Sequence, residues 1–220
     1  MKYFIPENIP RRKRIILGPV ARKLIVLFNW EIAGEFPNHK KMVLIAVPHT
    51  AMRDAWYALL AVLALDLKIN FFGAKWIFTR LPSFFTISKN LDKLGIPWPL
   101  GWLQSLLLKR LGGIPVYREE NKGLITSVIE VFSDFDNFVL AIAIEGGGFT
   151  SKDNPEKFRS GFYYIAKGLE IPYVPIAIDF ENREFRIMEP LFVASSFEEE
   201  SARIRDLFDG VVGATRTFTK

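Results

Sequence analysis

Met42-Val43-Leu44-Ile45-Ala46-Val47-Pro48-His49-Thr50-Ala51-Met52-Arg53-Asp54-Ala55 joins an apolar run directly to a polar turn. A strand with one wet face alternates apolar and polar residues. An unbroken apolar run ended by Pro48 instead predicts a strand buried on both faces. Polar residues from His49 to Asp54 follow at once, and Ala55 to Leu67 reads as a helix. In open α/β sheets the residues just past the carboxyl ends of strands are where chemistry gathers. His49 and Asp54 are therefore the first candidates for a site.

Outward from this unit the pattern repeats. Asn70 to Ala74 predicts a short strand. Trp102 to Leu111 predicts a helix stopped by Gly112-Gly113, with a strand at Ile114 to Tyr117 beyond it. Lys122 to Phe132 reads as a helix, Phe138 to Ile144 as an apolar strand running into Glu145, Phe162 to Leu169 as a helix, and Tyr173 to Ile178 as a strand. Alternating strands and helices predict an α/β layered domain with a largely parallel central sheet flanked by helices. The segment from Ile77 to Leu103, rich in Phe, Trp and Pro, is either a membrane-contact or tunnel-lining element or a packed irregular loop. The charged, amphipathic tail from Phe197 to Lys220 receives no role.

Composition narrows the function classes. The chain has 220 residues, half of them hydrophobic, which suits one folded domain and excludes a disordered one. It has no cysteine, so a thiol nucleophile, a disulfide framework and thiolate metal sites are excluded. No metal site is expected. The net charge of +5 is concentrated in the first 23 residues, where Lys2, Arg11, Arg12, Lys13, Arg14, Arg22 and Lys23 face only Glu7. A nucleic-acid-binding domain more often carries its positive charge on the folded body, so no nucleic-acid partner is expected. Read as a helix, Arg11, Arg14 and Arg22 lie near one face, next to Leu24 to Phe28 and Trp30. That combination suits either an anionic bilayer surface or an ordinary packing helix with a solvated basic face. No stretch reaches the roughly 18 apolar residues of a spanning helix. The interrupted apolar run also lacks the form of a secretory signal, so the expected location is the cytoplasmic face of the membrane.

A histidine is the usual general base near neutral pH, and a carboxylate partner orients it and stabilises its protonated form. No G-x-S-x-G elbow supplies a nucleophile, which leaves a substrate hydroxyl to attack. Alone, His49 and Asp54 equally describe a helix N-terminal turn, with Asp54 placed well for the dipole. A Gly-rich turn after a strand can cradle an anion, the pattern of Gly146-Gly147-Gly148, though that run and Gly112-Gly113 equally serve as plain turns.

Taken in order, four blocks resemble the 1-acylglycerol-3-phosphate acyltransferase family, the lysophosphatidic acid acyltransferases. The family shows H-x-x-x-x-D, a block ending in Arg, F-P-E-G-T-R, and a V-P-I/V-x-P-V strand. This chain shows His49 to Asp54, Gly112 to Arg118, Ala143-Ile144-Glu145-Gly146, and Ile171-Pro172-Tyr173-Val174-Pro175-Ile176. The resemblance runs from about Phe28 to Asp179. It implies transfer of a fatty acyl group from acyl-CoA or acyl carrier protein, as co-substrate and with no cofactor, to the hydroxyl of a lysophospholipid. His49 is implied as general base and Asp54 as its orienting partner. Arg118 is implied to hold the acceptor's phosphate, with Lys75 either beside it or simply solvent-exposed. Glu145, Gly146 and Gly147 are implied to shape the acceptor site, and Tyr117 to pack. The implied organisation is a basic membrane-contact segment over residues 1–30 and a catalytic domain over 31–220. Three departures stand out. Ala51, Met52 and Arg53 replace the usual small polar and aromatic residues. Gly147-Gly148 stand where relatives have Thr-Arg. The stretch after Glu145 is longer, and Lys152 and Arg159 restore a cation only if that loop folds back. The missing arginine leaves two alternatives open: a non-phosphate lyso-aminolipid acceptor, or a catalytically silent membrane-binding protein.

Overall fold

The computed structural model describes residues 5–49, 51–81, 95–116, 123–145, 158–215 and 217–218. Its elements in chain order are α1 (Leu17–Leu27), β1 (Glu31–Ala33), β2 (Lys41–Val47), α2 (Met52–Ala64), β3 (Asn70–Ala74), β4 (Arg80–Leu81) and β5 (Ile96–Pro97). They continue with α3 (Gly101–Arg110), β6 (Gly113–Val116), α4 (Leu124–Ser133), β7 (Phe138–Ile142), α5 (Gly161–Gly168), β8 (Tyr173–Asp179), β9 (Glu184–Ile187) and α6 (Phe197–Phe208). Seven described strands form one sheet in the order β1-β9-β8-β2-β7-β3-β6. β8, β2, β7, β3 and β6 run parallel, while β9 is antiparallel to β8 and β1 follows β9. The expected α/β fold with a largely parallel sheet is what forms.

The apolar run that opened the reading lies at the middle of the sheet. Val43, Ile45 and Val47 point into one core with residues of α4, α5 and α6. Met42 and Leu44 point into a second core, with residues of α1 and α2. Successive side chains alternate across a strand, so a strand serving two cores must be apolar at every position. β8 does the same, with Tyr173 and Ala177 on one side and Val174 and Ile178 on the other. The result is three layers, helices on both faces of a sheet.

Three expectations change. The basic segment does not form one helix from Arg11 to Arg22, because α1 begins at Leu17. The preceding residues pair instead with the end of α2. Arg11 bridges Leu67, the Arg12 N–H donates to the Asp66 carbonyl at 2.8 Å, and the Arg14 guanidinium donates to the Leu67 carbonyl at 3.1 Å. Arg22 Nη1 donates to the Ala64 carbonyl at 2.7 Å. The carbonyls at a helix C-terminus lack intrahelical partners and sit at the negative end of the dipole, so Arg22 satisfies and stabilises the last carbonyl of α2, while the contacts to Asp66 and Leu67 hold the segment just beyond it. Trp30, expected to flank a bilayer, is 3% exposed and packs on Tyr57, Phe180 and Phe185. The predicted start of α2 at Ala55 moves to Met52, because Asp54 caps this end.

The C-terminal region, unassigned from sequence, belongs to the core. The Ser196 hydroxyl accepts the Glu199 N–H, and the Glu199 carboxylate accepts the Ser196 N–H, a reciprocal cap that starts α6. Ile204 and Phe208 are fully buried. Glu200, also buried, accepts the Tyr173 hydroxyl, the Ala194 N–H and the Ser195 hydroxyl. Of the segment 77–103, residues 82–94 lie outside the described residues; β4 and β5 form a small antiparallel pair on either side of them. Gly112 turns α3 into β6 at φ +98°, and a Cβ there would stand 1.9 Å from the Ile69 carbonyl oxygen. Only glycine fits.

Candidate active site

The carboxyl ends of β8, β2, β7, β3 and β6 share one edge of the sheet, and His49 follows β2 at that edge. Its side chain retains 17% exposure. Asp54, the third residue of α2, is wholly buried and accepts the Ala51 N–H at 2.7 Å. That bond satisfies an amide just ahead of the helix, and it fixes the carboxylate at the dipole's positive end. The same oxygen, Oδ2, lies 4.0 Å from His49 Nδ1. At that separation the two groups interact as charges, outside direct hydrogen-bond distance.

Glu145 approaches from the adjacent strand β7, since β2 and β7 are hydrogen-bonded neighbours. It is 8% exposed, and Oε2 accepts the His49 backbone N–H. The histidine is thus held through its main chain by one carboxylate and faces a second with its ring. Burial lowers the His49 pKa below its ordinary value, and the charges of Asp54 and Glu145 act in the opposite direction without overcoming it. A neutral imidazole at neutral pH, with two carboxylates ready to stabilise its protonated form, is suited to act as a general base.

The other candidates are distributed along the edge. The chain beyond residue 157 returns to the end of β7, where the Arg159 N–H donates to the Ile144 carbonyl at 2.7 Å. Arg159 therefore reaches the site's neighbourhood, with its side chain exposed. Lys75 is exposed in the 3-10 turn after β3. β3 lies beyond β7 from β2, so two strand spacings, about 10 Å, separate it from the histidine strand. Arg118, Tyr117, Gly146, Gly147 and Lys152 lie outside the described residues. Among the described residues no group of three His, Cys, Asp or Glu side chains could hold a metal ion.

Sequence reading missed a second group at this edge. β9 and β1 begin where β8 ends, which brings Trp30, Phe180 and Arg183 together with Arg53 and Tyr57 of α2. Arg53 and Tyr57 are four apart on a helix, a signal of one shared face. Trp30 and Arg183 join them only through the sheet order, and nothing local marks them.

No protein-family model matches the chain, and a search of curated proteins finds no relative. Among solved structures the chain is similar to the crystal structure of the 1-acyl-sn-glycerophosphate (LPA) acyltransferase PlsC from Thermotoga maritima. The TM-score is 0.49 and the identity 12%, over 87% of this chain and 75% of that one.

Proposed function

We propose that the protein is an acyltransferase that moves a fatty acyl group from a thioester donor to the hydroxyl of a glycerolipid-type acceptor, with His49 as general base. The observation that carries this reading is the constellation at the carboxyl edge of β2: a largely buried, neutral histidine beside two buried carboxylates, with no serine elbow or cysteine to compete. With Nδ1 turned toward Asp54, Nε2 is the nitrogen that receives the acceptor's proton. The acceptor oxygen attacks the thioester carbonyl, the carbon–sulfur bond breaks, and the departing thiolate takes the proton back from the imidazolium. Asp54 stabilises the imidazolium meanwhile.

The four sequence blocks favour a lysophospholipid acceptor and an acyl-CoA or acyl carrier protein donor. Surface chemistry favours work at a bilayer. α1 buries Gly18, Ala21 and Ile25 against the body and leaves Leu17, Val20, Val26 and Leu27 between 48% and 74% exposed. Ile15 and Ile16, just before it, are 83% and 74% exposed, and Lys13 and Lys23 lie among them. Apolar side chains beside lysines suit an anionic lipid surface. Among the described residues no helix is long and apolar enough to cross a membrane. The glycines at 147 and 148 favour one second reading, the same chemistry on an acceptor without a phosphate.

The test is turnover of a long-chain acyl thioester with a panel of phosphate-bearing and phosphate-free lyso-lipids, beside His49→Ala. Transfer that depends on His49 is expected. Transfer that survives His49→Ala overturns the mechanism, and no transfer to any acceptor overturns the function.

A further inference from the structure

The group at the β8–β9 turn borders an open cleft of about 530 Å³ between the end of α1, the start of α2 and the turn itself. That volume falls in the range of small-molecule sites. Trp30 and Tyr57 stack with ring centroids 4.5 Å apart, and Phe180 stands edge-on to both, at 5.0 and 5.6 Å. The Arg53 guanidinium lies 5.1 Å above the Phe180 ring and gives one of its N–H groups to the Ala214 carbonyl. Arg183 approaches from the turn, with Nη1 3.5 Å from the Phe28 carbonyl oxygen.

Two cations thus border one aromatic cavity. Among the described residues neither forms an ion pair with a carboxylate, and no acid is among the cavity's described lining. A guanidinium's planar donor fork matches the oxygens of a phosphate, and one bond to a carbonyl leaves most of its five donors available. The rings impose a second requirement. Trp30 is buried against Tyr57, Phe180 and Phe185, so the aromatic surface on offer is that of the partly exposed Tyr57 and Phe180; a bare inorganic anion leaves it uncovered, whereas an apolar or planar body covers it. Exposed Leu27 at the rim extends the apolar surface toward α1.

The geometry points to a binding site for a phosphate monoester carried on an apolar or aromatic body, with Arg53 and Arg183 on the phosphate and Tyr57 and Phe180, backed by buried Trp30, on the body. The cavity shares the sheet edge of His49, and Arg53 precedes Asp54 in the chain. Its role as a substrate subsite rests on the acyl-transfer reading; the binding itself does not. The phosphate has two possible sources, a single-chain lipid or a nucleotide portion of a donor.

Calorimetric titration of the full chain with dodecyl phosphate, adenosine 3′-phosphate and inorganic phosphate separates these sources. Arg53→Gln and Arg183→Asn remove the cations one at a time. Asparagine is chosen because residue 183 has φ +52°, a conformation asparagine tolerates. At least one organic phosphate is expected to bind at least about tenfold more tightly than inorganic phosphate, and to weaken about tenfold or more in each arginine variant. The probe that binds identifies the source, and binding by both supports the shared chemistry. His49→Ala is expected to bind like the parent, so failure of the transfer chemistry stays separate from failure of the site. Equal binding of all three phosphates, no binding, or binding unchanged in the arginine variants overturns the proposal. Where Arg53→Gln loses its circular dichroism spectrum, Arg183→Asn alone decides.

Discussion

Replacing Asp54 by asparagine isolates its charge from its shape. The asparagine side-chain oxygen can still accept the Ala51 N–H, now at 2.7 Å, so the start of α2 keeps its cap. What disappears is a negative charge 4.0 Å from His49 Nδ1. For two unit charges at that distance in an effective dielectric of about 20, the interaction is about 4 kcal/mol. In the proposed reaction this stabilises the imidazolium formed as the acceptor loses its proton, and each 1.36 kcal/mol is a factor of ten in rate. Asp54→Asn is therefore expected to lower kcat by about a hundredfold to a thousandfold. The stability loss should stay near 1 kcal/mol, mainly from the weakened charge–dipole contact. The chain contains no cysteine, so release of the donor's free thiol can be followed with a thiol-reactive dye without background from the protein. The His49 pKa, titrated by NMR, should fall further, because the Asp54 charge raises it in the parent. A kcat within threefold of the parent, or an unmoved His49 titration, would show that the charge does not act on the ring as argued.

The lowered pKa of His49 gives a pH signature: kcat/KM should hold its plateau to below pH 6.5, and a profile falling from a midpoint above that value contradicts the burial argument. The unfolded histidine takes up its proton first as pH falls. Its contribution to stability is thus complete above the unfolded pKa and is lost from about pH 6.5 down to the folded pKa, so denaturation midpoints should rise with pH across that window. Tyr173→Phe removes one donor to buried Glu200 at a cost of about 1–3 kcal/mol. Burial raises the Glu200 pKa, but its hydrogen bonds lower it further, the Tyr173 bond foremost, so this variant should also begin to unfold at higher pH on acidification. Gly112→Ala forces a left-handed backbone and a collision with the Ile69 carbonyl. It should cost at least about 2 kcal/mol, a drop in Tm of roughly 4–8 °C, and an unchanged Tm would contradict the close approach.

The central layer was legible because burial on both faces leaves a plain mark. Met42 to Val47 and Phe138 to Ile142 are apolar at every position, and the structure places both where two cores meet. Short edge strands carry no such mark: β1 and β9 are three and four residues long, and sequence reading left them out. The basic arm was misread for a related reason. Its arginines have the spacing of a helix face, but their targets are carbonyls at and just past the end of α2, more than forty residues away, and periodicity does not encode a distant acceptor. At the site, His49 and Asp54 were found because strand, loop and helix are contiguous. Glu145 came from the family pattern, and its bond to the His49 main chain depends on β2–β7 pairing. Arg183 was missed because only the reversal at β9 brings it to Arg53.

The double duty of Asp54 bears on how this motif endures through mutation. Selection for a sound fold alone favours a carboxylate at that position, because it both caps α2 and meets the positive end of its dipole. The Glu145 bond uses the His49 backbone N–H, which any non-proline residue can supply. A lineage that abandoned catalysis would keep its aspartate and let its histidine drift. Across relatives of this chain, the imidazole is thus the informative half of the pair, and an acid with no histidine ahead of it is the signature of a retired enzyme.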